Sequence, residues 1–402
     1  MPPDRSSGFL SSHPDPAGEE RSMIYLDHFS TTPCDPAVLE TMLPWFAQDF
    51  GNPHSVHEPG LAAAAAVEQA RESVARLVGA EAREIVFTSG ATEANNLAIK
   101  GAARHAARMG NLRRRIITIA TEHKCVLESV RDLAAEGFEP VILGVDREGQ
   151  VDPGALREAL QVPTLLVSIM AANNETGVVQ DLATLAPIVK GQGALLHVDM
   201  AQMAAKCPVS LDGIDLASFS AHKMYGPKGI GALYVRRRPR VRLAPLFSGG
   251  GQERDLRSGT LPTPLIAGFG KAADIARERL EEDAIRLEML RDDLWKQLQE
   301  NLPGVEQNGA GAPRLPGGLN LSLPEGVKAL DVLKWLPDVA ISTGSACSAA
   351  EVTPSYVLMA MGLSPEKASR CLRLSVGRST SKPDIDRAAR SLIAAVRACQ
   401  QP

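Results

Sequence analysis

Between residues 84 and 235, short apolar runs alternate with stretches of helical periodicity, and this alternation constrains the fold more than any other feature of the chain. The runs are Glu84-Ile85-Val86-Phe87, Arg115-Ile116-Ile117-Thr118-Ile119, Pro140-Val141-Ile142-Leu143, Leu165-Leu166-Val167-Ser168-Ile169, Ala194-Leu195-Leu196-His197-Val198, Leu216-Ala217-Ser218-Phe219 and Ile230-Gly231-Ala232-Leu233-Tyr234. Each has the length of a strand, and most contain β-branched residues. Their apolar character is continuous rather than alternating, which marks strands buried on both faces. Strands of that kind separated by helices predict an α/β fold with a large, seven-stranded, mostly parallel sheet between helical layers.

Ahead of the sheet, Val67, Ala70, Val74 and Leu77 lie on one face of a helix. After it, Leu246-Phe247-Ser248-Gly249-Gly250-Gly251 breaks the pattern, and residues 266 to 301 read as one long helix rich in Arg and Glu. Strands are expected near Leu319-Asn320-Leu321-Ser322, Val339-Ala340-Ile341 and Leu372-Arg373-Leu374-Ser375, with a closing helix from about 383 to 399. The 402 residues therefore divide into a leader without fixed structure (1–22), a large domain that carries the sheet (23–264) and a smaller α+β domain (265–402). The N-terminal segment of the large domain is free to pack on the small one.

Charge and cysteine content narrow the function. Lys and Arg number 43 against 47 Asp and Glu, so 43 − 47 = −4, which offers no attraction to nucleic acid or an anionic membrane. The arginine runs Arg113-Arg114-Arg115 and Arg236-Arg237-Arg238-Pro239-Arg240 read as solvated strand ends. The six cysteines (34, 125, 207, 347, 371 and 399) include no CxxC pair, which leaves no zinc or dithiol motif and no metal site. No apolar run is long enough to span a bilayer, and the leader, with four prolines and both charge signs, lacks a signal-peptide core. A cytoplasmic protein with reduced thiols is expected.

In an open parallel sheet, ligands bind beyond the carboxyl ends of the strands. Those ends are polar here: Thr88-Ser89-Gly90-Ala91-Thr92-Glu93, Thr121-Glu122-His123, Asn173-Asn174-Glu175-Thr176-Gly177, Asp199-Met200-Ala201-Gln202 and Ser220-Ala221-His222-Lys223. Taken singly, each residue is explained by helix capping or packing. Together they meet the needs of pyridoxal phosphate, which requires a lysine to hold its aldehyde as a Schiff base, a carboxylate for its pyridine nitrogen and a cradle for its phosphate. Lys223 closely follows a strand, whereas Lys228 sits in a Pro-Lys-Gly turn, so Lys223 is the expected anchor.

The run Ser220 to Gly229, with His197-Val198-Asp199 before it and Arg257-Ser258-Gly259-Thr260 after it, resembles the class V aminotransferase branch of fold-type I pyridoxal enzymes. Within that branch, Thr343-Gly344-Ser345-Ala346-Cys347-Ser348 resembles the cysteine desulfurases of the NifS/IscS type. The resemblance implies Lys223 as the cofactor lysine, Asp199 as the pyridinium partner, Gln202 as a donor to the ring hydroxyl oxygen and His123 stacked on the ring. It implies a phosphate cradle from Gly90, Ala91, Thr92, Ser220 and His222, with Thr260 contributed by the second subunit of a homodimer. It further implies Asn174 and Arg373 on the substrate carboxylate and Cys347 as the nucleophile. L-cysteine would become L-alanine, with a persulfide on Cys347 passed to an acceptor protein. That acceptor would be an iron-sulfur scaffold or a sulfur carrier for thio-cofactor or tRNA thiolation. Competing readings are a selenocysteine lyase or another class V enzyme, and a non-catalytic sulfur-trafficking homologue. The sequence differs from many relatives at His28-Phe29-Ser30 and Met200, and it ends soon after Cys399.

Overall fold

A computed structural model describes residues 23–343 and 354–400 of the chain. Its strands are β1 (Ile24–Tyr25), β2 (Ile85–Thr88), β3 (Arg115–Ile119), β4 (Glu139–Leu143), β5 (Thr164–Ser168), β6 (Leu195–Asp199), β7 (Leu216–Ser220), β8 (Gly231–Val235), β9 (Glu306–Gln307), β10 (Gly318–Ser322), β11 (Val339–Ala340) and β12 (Cys371–Ser375). The seven expected strands, β2 to β8, form one sheet in the order β2-β8-β7-β6-β5-β3-β4. Only β8 runs antiparallel to its neighbours, so the sheet is mostly parallel and the α/β class holds.

The side chains show why continuous apolar runs were needed. Phe87, Ile117, Val167, Leu196 and Ala217 pack on one face of the sheet with the helices Glu58–Val78 and Thr263–Asn301. Their neighbours Val86, Ile116, Leu166, Leu216 and Leu233 pack on the other face with the helices Ala91–Arg108 and Lys124–Asp132. Successive residues of one strand therefore enter different cores. Whereas β2 at one edge of the sheet is buried along its whole length, strand β4 at the other edge is the exception. Glu139 is exposed there and Ile142 partly so, and Pro140 is tolerated because an edge strand has unpaired backbone on one side.

The helix Thr263–Asn301 links two cores. Ile266, Phe269, Ala272 and Ala273 belong to the first, and Leu287, Leu290, Leu294 and Leu298 to the second. The second core also contains residues of β10, β12 and the helix Lys382–Gln400, together with Ile24 and Leu26. The start of the described chain is thus tied to its end, with β1 parallel to β11 and Leu26 exchanging backbone bonds with Ala340 and Ser375. Strands β1 and β9 were not expected from the sequence, whereas β11, equally short, was.

Candidate active site

The carboxyl ends of β2, β3, β5, β6 and β7 open into a cavity of about 580 Å³. At the end of β2 the helix Ala91–Arg108 begins at Gly90, which has φ 154°, a conformation open to glycine. The approach of β8 is equally tight there: a Cβ on Gly231 would lie 2.7 Å from Gly90 Cα. No side chain caps this helix, so the N–H groups of its first turn face the cavity without a protein acceptor from the cap residue. Glu93, in the same turn, accepts from the Ser89 N–H at 2.8 Å and pairs with Arg257 at 3.0 Å, and these hydrogen bonds outweigh burial and hold its carboxyl below the usual range.

At the end of β6, Asp199 is buried and accepts from the Ala201 N–H at 2.9 Å and from Asn95 Nδ2 at 2.7 Å. At the end of β3, His123 caps the helix Lys124–Asp132, with Nδ1 accepting from the Cys125 N–H at 3.2 Å. Burial lowers its pKa, Asp199 opposes that shift, and Lys223 and Lys124 add to it. Gln202 Nε2 donates to the Phe29 carbonyl at 2.7 Å.

Ser220 ends β7, and His222 and Lys223 lie in the short turn that follows it. The Lys223 ammonium donates to the carbonyl of Phe29 and to that of Ser30 at 2.8 Å. Phe29 and Ser30 therefore supply backbone acceptors to two of the expected site residues. His222 Nδ1 lies 3.1 Å from Thr31 Oγ1, and burial, reinforced by Lys223, Lys228 and Lys206, lowers its pKa to about 4.

Arg373, on β12, reaches across from the second core. Its Nη1 donates to the Asn174 carbonyl at 2.9 Å, and its Nη2 contacts Asp27 Oδ1 at 2.8 Å and Ser30 Oγ. Among the described residues, buried Asn174 Oδ1 has no hydrogen-bond partner.

Gly90, Ala91, Thr92, His123, Asn174, Asp199, Gln202, Ser220, His222, Lys223 and Arg373 thus line one cavity. Thr260 is exposed and does not line the cavity of its own chain. Cys347, with Ser345 and Ala346, lies outside the described residues. Sequence reasoning missed Asn95, Cys125 and Lys206. Asn95 had a signal, being a polar residue among Ala94, Leu97 and Ala98 on an otherwise apolar helix face. Lys206 had none: it lies beside Gln202 and over the Phe29 ring, and burial takes its pKa down to about 7.

The donor set fits pyridoxal phosphate. A lysine, a buried carboxylate, an uncapped helix start and a buried Asn174 oxygen that has no partner among the described residues converge on a cavity of sufficient size. Such a site on a mostly parallel, seven-stranded sheet defines a fold-type I pyridoxal phosphate enzyme.

Comparison with known proteins makes the assignment narrower. The profile of the Aminotransferase class-V family matches residues 24–388, and the chain belongs to that family. The cysteine desulfurase IscS of Anaeromyxobacter sp. (strain Fw109-5) is 50% identical over 377 residues, covering 93% of this chain and 92% of its own length. A solved NifS-like protein superposes with a TM-score of 0.86 at 36% identity, covering 94% of this chain and 100% of the other. SspA, solved in complex with cysteine, gives a TM-score of 0.77 at 37% identity, covering 88% and 98%.

Proposed function

We propose that the chain is a pyridoxal phosphate-dependent cysteine desulfurase that converts L-cysteine to L-alanine and holds the sulfur as a persulfide on Cys347. The observation that carries this reading is the placement of Lys223 and Asp199 at the ends of adjacent strands, in a cavity that Arg373 also lines. Asp199 is the partner of the pyridine nitrogen, Gln202 of the ring hydroxyl oxygen, and His123 of the ring face. Gly90, Ala91, Thr92, Ser220 and His222 hold the phosphate, with Thr260 supplied by the second chain of a homodimer. When bound, the cofactor withdraws electrons from the substrate Cα and so makes its proton acidic.

The chain's own groups then have defined tasks. Arg373 and Asn174 grip the substrate carboxylate, the guanidinium supplying a fork of two donors. The Lys223 amine takes the Cα proton, and His123 carries a proton near the ring. Cys347 thiolate attacks the substrate sulfur, the carbon–sulfur bond breaks, and alanine leaves. The persulfide then passes to a thiol on an acceptor protein, either an iron-sulfur scaffold or a sulfur carrier.

Cysteine as substrate is supported by the desulfurase relatives and by the cysteine complex of SspA. The two packed cores support a division near residue 264, at the start of the helix that joins them. A cytoplasmic setting is supported by free Cys34, Cys125, Cys207, Cys371 and Cys399. Among the described residues no helix is long and apolar enough to cross a membrane.

Replacing Cys347 tests the reading directly. Cys347→Ser should retain pyridoxal phosphate, seen by its visible absorbance, and respond spectrally to cysteine, yet release neither sulfide nor alanine. The parent protein should gain one sulfur on Cys347 after cysteine treatment, read as a mass shift that a reductant removes. Parental turnover by the serine variant would defeat the assignment.

A further inference from the structure

Asp199, Asn95, Cys125 and His123 form an unbroken line of contacts beside the cavity. Asn95 is fully buried, and its amide nitrogen donates to Asp199 Oδ2 at 2.7 Å and to Cys125 Sγ at 3.1 Å. One amide nitrogen carries two hydrogens, so both partners are served at once. The amide cannot be turned over, because its oxygen would then face the Asp199 carboxylate.

Cys125 Sγ lies 3.0 Å from His123 Nδ1, and the Cys125 backbone N–H donates to the same nitrogen at 3.2 Å. A proton on Nδ1 would set one N–H against another. The sulfur also has the Thr92 hydroxyl as a hydrogen-bond partner; with Asn95 and Thr92 both donating to it, the thiol hydrogen is left for Nδ1.

We propose that Cys125 is a positioning residue: its S–H, ordered by Asn95, donates to His123 Nδ1 and keeps the imidazole proton on Nε2. The inference rests on the proposed role of His123 as a proton carrier and says which ring nitrogen holds that proton. Burial, with Asp199 beside it, pushes the Cys125 thiol up to about 12, so the sulfur stays a donor across the neutral range. The charged groups that face His123 are Asp199 at the end of β6, Lys223 in the turn after β7 and Lys124 on its own helix, with Glu122 preceding it in the chain. Burial is the largest influence on the ring and already favours its uncharged form, and a donor to Nδ1 favours that form further. Cys125 therefore lowers the proton affinity of His123 without touching substrate.

The test is nuclear magnetic resonance of the full chain labelled with ¹⁵N-histidine, with pyridoxal phosphate bound and with it removed. The His123 signal is assigned by its loss in His123→Gln. We expect the neutral ring to carry its proton on Nε2, with Nδ1 unprotonated. In Cys125→Ala the titration midpoint of His123 should rise by about 0.5 to 1 unit, roughly a three- to tenfold gain in proton affinity. Cys125→Ser, which restores a donor, should return it to the parental value. Should the alanine variant fold poorly, Cys125→Val removes the donor while filling the space. A proton on Nδ1 in the parent, or donor-free variants with the parental midpoint, would overturn the inference. Undiminished cysteine turnover by His123→Gln would instead remove His123 from the proposed reaction, whichever nitrogen carries the proton.

Discussion

Arg373 is asked to bind substrate and to hold the fold with the same side chain. It is 3% exposed, and its guanidinium bridges Asp27 near the start of the described chain and the Asn174 carbonyl on the loop after β5. Truncation would remove this donor from the partly exposed Asp27 and from that carbonyl, and breaking a pair buried on the arginine side costs about 3 kcal/mol. Arg373→Ala should therefore lower the unfolding free energy by about 3 kcal/mol and raise KM for cysteine by about 100-fold or more. Arg373→Lys restores a charge but not a planar fork, so it should recover stability more than KM. Denaturant unfolding and steady-state kinetics on the two variants separate these tasks. A parental KM in Arg373→Ala would take the substrate carboxylate away from this residue. Asp199, by contrast, is held by one local bond, from the Ala201 N–H, and one distant one, from Asn95.

Three central strands of the sheet are stitched by a buried histidine. His197 on β6 lies 2.8 Å from Ser168 Oγ on β5 and 3.0 Å from Ser218 Oγ on β7. Burial lowers its pKa to about 3, against an ordinary value of 6.5 in the unfolded chain. Between those two values the unfolded state binds the extra proton, so stability falls as pH drops below about 6.5 and the fall continues to about 3. One such group contributes on the order of 1.4 kcal/mol per pH unit within that window. Urea unfolding at pH 7, 6 and 5 should show this decline, and His197→Gln should remove about one proton's worth of the slope even if it is less stable at pH 7. An unchanged slope in the variant would place the acid sensitivity elsewhere, for instance at buried His28, whose pKa burial takes down to about 4.

The exposure of Thr260 makes the oligomer testable by function. If Thr260 completes the phosphate cradle of a second chain, Thr260→Asp would set a carboxylate against the phosphate of its partner's cofactor, while Lys223→Ala disables only its own cavity. Each pure variant should be inactive or nearly so. In a mixed dimer, however, the chain carrying Thr260→Asp keeps its own Lys223 and receives an intact Thr260, so one cavity per dimer should recover. Co-expression with two affinity tags, isolation of the mixed species and assay of alanine release would measure this. Mixed protein no more active than the separate variants would place Thr260 outside any shared site.

Much of this architecture was legible in the chain because periodicity and turn chemistry are local. The continuous apolar runs, Ile116-Ile117 and Leu165-Leu166-Val167 among them, could be satisfied only by strands with a core on each face, and they marked the seven strands of the sheet. The polar residues that end those runs pointed to Lys223 and Asp199, since the carboxyl edge of a parallel sheet is where ligands bind. The edge position of β4 and the insertion of antiparallel β8 between β2 and β7 were not legible, because strand order is set by pairing across long stretches of chain rather than by the pattern within a strand. The same limit applied to the site. Arg373 meets Asp27, 346 positions away, and Asn95 reaches Asp199 across 104. No spacing rule joins residues at such distances. Sequence by itself determined the seven strands of the sheet, the chemical groups at their ends and the family they belong to. Tertiary structure decided which groups touch, which nitrogen of His123 accepts the Cys125 N–H, and how deeply Asp199 and Arg373 are buried, since those contacts exist only after both cores have packed.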